Sequence, residues 1–409
     1  MTKDPTEGLF NRPDWVRRFN AIGGAAGGAA GLVPLDVDAM CESAASTTGL
    51  DDFGDVDGDW LSRLRSLTAA IDESADMHAL GRTMTRGELM RCLRTRLALA
   101  EDTRQRPGVM DEVINKPTIV TGPARSGTSL LFELLDLDPA LRGPKGGEIA
   151  FPGPADEATQ RERLRLAECE YEFWNDVQPE FRAVHDMRAE YPQECIHVQM
   201  PSFSGAYWPM VANIPGWMPD MVATMQFHRR VLQSLQHEGP DQGWVLKTPV
   251  YLSMLDLVFA TYPDAWVIHT HRDPLKTMPS GASTLANVRW LRSDSVAARG
   301  IGDDDRMSTT LLALMNRRAN GELPDRIVDV HFADLMADPV GAVSRAYDSM
   351  GRELTGVHAD AIRRYVANRP QGTFGKHAYS AESFGIDEQA LRERMLPYTN
   401  YYDVCLEVV

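Results

Sequence analysis

Cysteine is scarce here and badly spaced for structural work. The five, Cys41, Cys92, Cys169, Cys195 and Cys405, are odd in number and form no paired motif. That excludes a disulfide framework or a zinc ribbon; buried thiols in a reducing cytoplasm fit better. Positive charge is short as well: 42 Lys and Arg face 58 Asp and Glu, a net −16. Such a chain does not wrap nucleic acid by bulk charge, so any anion site has to be local. Long apolar runs are missing too, none approaching ~18 residues, so no integral membrane association is expected. The opening "MTKDPTEGLFNRPDWVRRFN" mixes charges without an apolar core and is not a signal peptide. The adjoining "AIGGAAGGAAGLV" is small rather than greasy. Residues 1–34 therefore read as a flexible lead-in.

What is present begins with helix periodicity. Across residues 35–112, three segments repeat apolar positions at three- and four-residue spacing. Val37, Met40, Cys41 and Ala44 form one stripe, ending before Gly49. Leu61, Leu64, Leu67 and Ile71 form the second; Leu89, Cys92, Leu93 and Leu97 form the third. Each stripe needs a partner surface, so this region is expected to pack on the downstream core. In "DDFGDVDGDW", Asp55, Asp57 and Asp59 begin like a calcium loop. Trp60 takes the glycine position and Ser66 the glutamate position, so a solvated acidic turn is expected.

From residue 113 to 409 the texture changes. "PTIVTG", "GWVLKT", "AWVIHTHRDP" and "RIVDVHFADL" read as strands, while "SLLFELLDLDP" and "VYLSMLDLVFATY" read as helices. Strands alternating with helices predict an α/β fold: a P-loop-like central parallel sheet flanked by helices, with the helical N-terminal region packed on it.

The first strand runs into "GPARSGTS". Gly122, Gly127 and Ser129 fit the phosphate-loop pattern G-x-x-x-x-G-K-[ST], but Thr128 replaces the lysine and Arg125 returns a positive charge three residues earlier. Amides at the helix start still favour an anion. A phosphate joined to a second tetrahedral anion, as in a phosphosulfate, suits a cradle without that lysine. An ordinary strand–turn–helix capped by Ser126 is the alternative. A second anchor, "HRDPLKTMPS", puts Arg272 just beyond a strand and Ser280 eight residues on. Ligands of open sheets bind beyond the carboxyl ends of strands, and arginine forks onto phosphate.

Together these residues resemble the sulfotransferases that use 3′-phosphoadenosine 5′-phosphosulfate (PAPS). "HALGR", "GPARSGTSLL", "LKTPVYL", "HRDPLKTMPS" and "GKHAYSAESFGID" resemble a bacterial, actinobacterial-type branch with a helical N-terminal region. The resemblance implies that Arg125, Ser126, Gly127, Thr128 and Ser129 hold the 5′-phosphosulfate, and Arg272 and Ser280 the 3′-phosphate. It implies a closing loop carrying Lys376, His377 and Tyr379, and no metal requirement. Arg125 and Lys247 are then the catalytic cations at the leaving group. The sequence departs from the eukaryotic "KTH" motif: Pro249 replaces the catalytic histidine. Where the bacterial branch often places one, Tyr251 stands. Glu148, in "GPKGGEIAFPGP", is the expected general base, with Glu194 and His197 behind it. His269 and His271 alternate like metal ligands, but no third ligand is evident in the sequence.

The segment holding Phe203, Tyr207, Trp208 and Trp217 suits either core or the wall of an acceptor pocket. The second reading points to a small lipid, sterol-like or aromatic alcohol, and the acidic balance disfavours sulfated polysaccharide. A homodimer is compatible with all this. The sequence leaves two other functions open: a P-loop nucleotide kinase or triphosphatase, and a non-catalytic descendant that binds nucleotide or lipid.

Overall fold

A computed structural model describes residues 11–153, 155–184, 187–237, 239–296, 304–368 and 380–407. Its centre is a five-stranded, all-parallel sheet in the order β2-β3-β1-β4-β5. The strands are β1 (Thr118–Thr121), β2 (Leu141–Arg142), β3 (Gly243–Lys247), β4 (Trp266–His271) and β5 (Ile327–His331). β1 is buried at all four positions, as a β-branched run between two neighbours covered on both faces should be. Its register, Val120 beside Lys247 and Thr121 beside His269, brings the ends of β3, β1 and β4 to one edge. Strand β2 is only two residues long, and its pattern is too short to read from sequence.

The three expected N-terminal helices are Val37–Thr48, Trp60–Ser74 and Ala79–Gln105. Asp36 and Asp59 cap the first two by accepting from the amides of Ala39 and Ser62. Leu64, Leu67, Leu89, Cys92, Leu93 and Leu97 are all fully buried. Their core continues through Phe203, Trp208 and Leu291, so the helical layer and the downstream chain share one interior. Most of the aromatic segment is therefore core: Phe203, Tyr207 and Trp208 are buried, Trp217 partly so. At this seam Arg292 donates to Glu88 at 2.7 Å, and the Tyr207 hydroxyl donates to the same carboxylate at 2.7 Å. Among the described residues, no helix is long and apolar enough to cross a membrane.

Two expectations fail here. Within the lead-in, Asp14–Ala25 is a helix, not a loose tether. A Cβ on Gly23 would lie 2.8 Å from the Ala79 Cβ, so the small residues serve close helix approach. Nearby, Arg12 is anchored on Asp294 at 2.7 Å and over the Trp290 ring. The acidic turn is not wholly solvated either. Asp57 is buried, paired with Arg96 at 2.8 Å and Arg63 at 2.5 Å. Two guanidiniums neutralise it, which is what a buried carboxylate requires.

Candidate active site

The first loop lies between β1 and the helix Thr128–Asp136. Gly122 has φ +152°, and a Cβ there would lie 2.2 Å from the Thr270 hydroxyl oxygen of β4. Gly127 has φ +92° and caps the helix without any side-chain bond. A Cβ on it would crowd Leu335 and Phe332 at 3.0 and 3.1 Å. Both glycines are required, one by space and both by backbone angle. The helix start carries no side-chain cap, which leaves its first amides and dipole to favour an anion. Ser126 is not a helix cap. Its buried hydroxyl contacts the Pro123 carbonyl (2.6 Å) and Thr270 Oγ1 (2.5 Å), tying the loop to β4. Thr128 is buried, and Arg125 is exposed with φ +68°.

Lys247 closes β3 with a buried side chain. Its ammonium donates to Ser129 Oγ at 3.0 Å, and it is ion-paired with Glu194. Glu194 stands at the N-cap of the helix Cys195–Gln199 without capping it by its side chain, which turns to Lys247 instead. Next to it, burial pushes the Cys195 thiol up to about 12, so it is an inert packing group. His197 packs against Tyr207, ring centroids 5.4 Å apart.

Glu148, the expected general base, caps a helix start. It sits at the third position of the helix Gly146–Ala150, accepts from the Lys145 amide at 3.0 Å and is bonded by Arg142 at 2.5 Å. A glutamate there naturally folds back onto the free amide at the helix start. Among the described residues it makes no hydrogen bond to Lys247 or the first loop.

The second anchor meets the first. Arg272 Nη1 donates to the Arg125 carbonyl at 2.9 Å. Asp273 caps the helix Pro274–Trp290 by accepting from the Leu275 amide, with proline at the first-turn position. Ser280 is fully buried, and its hydroxyl has no hydrogen-bond partner among the described residues. A Cβ on the adjacent Gly281 would lie 3.8 Å from the Ala124 Cβ, which brings this face of the helix against the first loop. A buried hydroxyl without a partner, on a helix face that meets a loop too tight for side chains, suits an anionic ligand. Lys376, His377 and Tyr379 lie outside the described residues.

Asp329 is absent from the residues that the sequence singles out. Asp329 of β5 joins His269 and His271 of β4, their ligand-type atoms all within 4.8 Å. The third group is thus supplied by the neighbouring strand, a pairing that no sequence spacing announces. His271 bonds Asp329 at 2.8 Å and Tyr398 at 2.7 Å. Burial lowers the pKa of both histidines, which keeps them neutral. Arg318 already forks onto both Asp329 oxygens, which makes the cluster a poor seat for a further cation.

Comparison with known proteins agrees with this geometry. A sequence profile described as the sulfotransferase family matches residues 117–356, more than half of the 409. Over 297 residues the chain is 23% identical to the omega-hydroxy-beta-dihydromenaquinone-9 sulfotransferase Stf3 of Mycobacterium bovis, covering 68% of this chain and 73% of that one. The crystal structure of sulfotransferase STF1 from Mycobacterium tuberculosis superposes with a TM-score of 0.75 at 29% identity, covering 88% of this chain and 98% of that chain. Sulfotransferase STF9 from Mycobacterium avium gives 0.73 at 24% identity, over 91% and 98%. With a profile match over more than half of its length, the chain is a member of the sulfotransferase family.

Proposed function

We propose that this enzyme moves a sulfuryl group from PAPS to the hydroxyl of an apolar, lipid-like acceptor. The observation that carries the reading is Lys247, whose ammonium joins Ser129 at the anion cradle to the Glu194 carboxylate. PAPS, when bound, supplies a sulfuryl group on a phosphate leaving group. The first-loop amides, Thr128 and Ser129 hold that end, with the exposed Arg125 as a further cation; Ser126 shapes the loop from inside. Arg272 and Ser280 hold the 3′-phosphate. Lys247 and the helix dipole stabilise negative charge growing at the cradle. Glu194, rather than Glu148, accepts the proton of the acceptor hydroxyl, because it is the carboxylate beside the cradle's lysine. No metal is needed for this division of labour.

The acceptor class is supported by the hydroxylated menaquinone named for the mycobacterial relative. A cytoplasmic setting accords with five unpaired cysteines. The test is direct. Isotope-labelled PAPS is incubated with the enzyme and a panel of long-chain and isoprenoid alcohols, without magnesium, and the acceptors are weighed by mass spectrometry. Label on an apolar alcohol supports the reading. Stabilisation by 3′-phosphoadenosine 5′-phosphate without turnover on any acceptor class favours a binding protein, and stabilisation only by ATP with magnesium favours a kinase.

A further inference from the structure

The guanidinium of Arg272 is already holding a carboxylate. Its Nε donates to Glu407 Oε1 at 2.7 Å and its Nη2 to Glu407 Oε2 at 2.9 Å, two parallel bonds in fork-on-fork geometry. This is the geometry that arginine offers a phosphate. The rest of the group is committed. Nη1 reaches the Arg125 carbonyl, and the flat face lies 3.9 Å from the Phe332 ring centroid. The edge filled by Glu407 is therefore the edge left for an anionic ligand.

Glu407 is held there by more than charge. Its own amide donates to Asp273 Oδ2 at 2.9 Å. Asp273 is fixed in turn by Arg392, through bonds of 2.9 and 3.1 Å, while it caps the helix that carries Ser280. A carboxylate displaced from Arg272 thus stays tethered beside it, at a high effective concentration.

We propose that Glu407 is an internal competitor for the 3′-phosphate seat, displaced when the donor enters and returning as the desulfated nucleotide leaves. The proposal rests on the assignment of PAPS as donor. A dianionic phosphate can outbid a single carboxylate while bound. The returning carboxylate spares Arg272 an unpaired charge in a partly buried site, and so favours release. Bonding to Arg272 holds the Glu407 carboxyl below the usual carboxylate range, so the competitor stays ionised at neutral pH.

Apparent affinity falls by the fraction of time the seat is open. With the pair closed about nine-tenths of the time, removing the competitor tightens phosphate binding about tenfold. The experiment is titration calorimetry and stopped-flow release with 3′-phosphoadenosine 5′-phosphate and, as a probe lacking the 3′-phosphate, adenosine 5′-phosphate. Wild type, Glu407→Ala, Glu407→Gln and Arg272→Ala are compared as full-length chains. The expected result is tighter binding and slower release of the 3′-phosphorylated probe in both Glu407 variants, with the other probe unchanged. Equal or weaker binding in both variants, while Arg272→Ala still abolishes the preference for the 3′-phosphate, overturns the proposal and spares the donor reading. If wild type ignores the probe, or Arg272→Ala binds it as well as wild type, the donor reading itself fails and the competitor with it.

Discussion

Two short segments lie side by side at the edge of the site, and each presents a glutamate. One is 143–150, with Glu148; the other is 188–199, with Glu194. They are stitched together by a Lys145–Pro192 bridge and by the Gly146 and Gly147 amides, which donate to the carbonyls of Tyr191 and Ala189. Only one of the two carboxylates reaches Lys247. Glu148 starts three residues into a helix, where the nearest unpaired group is a backbone amide, and it is spent on that amide and Arg142. Glu194 precedes its helix and escapes that local pull, so it turns to the lysine. Local hydrogen-bonding opportunity, more than proximity to the sheet edge, decides which carboxylate pairs with Lys247.

The sharpest way to break this comparison is to remove charge on the Lys247 side. Lys247→Ala should lower turnover by about a thousandfold. Glu194→Gln should lower it by about a hundredfold with donor affinity almost unchanged, and Glu148→Gln should leave it within about threefold of wild type. Steady-state kinetics on the three variants decides the assignment; a Glu148 variant slower than the Glu194 variant reverses it.

A smaller effect comes from prising the two segments apart. A Cβ on Gly146 would lie 2.8 Å from the Arg188 carbonyl oxygen, which belongs to backbone and cannot swing away. Gly146→Ala should therefore cost about 2 kcal/mol in urea unfolding and lower turnover with it. Smaller still, Glu148→Ala should cost about 1 kcal/mol of stability, the worth of a helix cap, with turnover within about threefold of wild type. The least disruptive check is chemical. In the native protein a thiol reagent should label the exposed Cys169 and Cys405 and spare Cys195, whose thiol burial raises to about 12. Rapid Cys195 labelling would mean that the Glu194 segment does not pack against the β3 end.

The strand–loop–helix turns at both proposed anion anchors are legible because each is a local pattern: glycines at fixed offsets after a β-branched run, and an arginine followed by aspartate–proline at a strand end. The helices were legible for the same reason, through their stripes. What the sequence withheld depends on distance along the chain. Glu194 lies 53 residues from Lys247, and Glu407 lies 135 from Arg272. Neither spacing repeats or caps anything, so no periodicity marks them. Asp57 misled in the opposite sense: an acidic run looks solvated until Arg63 and Arg96 arrive from two helices. The glycines near residue 23 resembled a linker because smallness serves both looseness and tight packing.

The helix that begins just after Arg272, the proposed phosphate anchor, is 17 residues long, a strut of about 25 Å. Just past its far end, Arg292 is sunk into Glu88 of the long N-terminal helix, with no exposure of its side chain. Severing the chain near residue 112 would strand that guanidinium in an apolar interior, a cost of several kcal/mol. A minimal transferase made by trimming back to the sheet should therefore lose its grip on nucleotide before it loses any group that touches nucleotide.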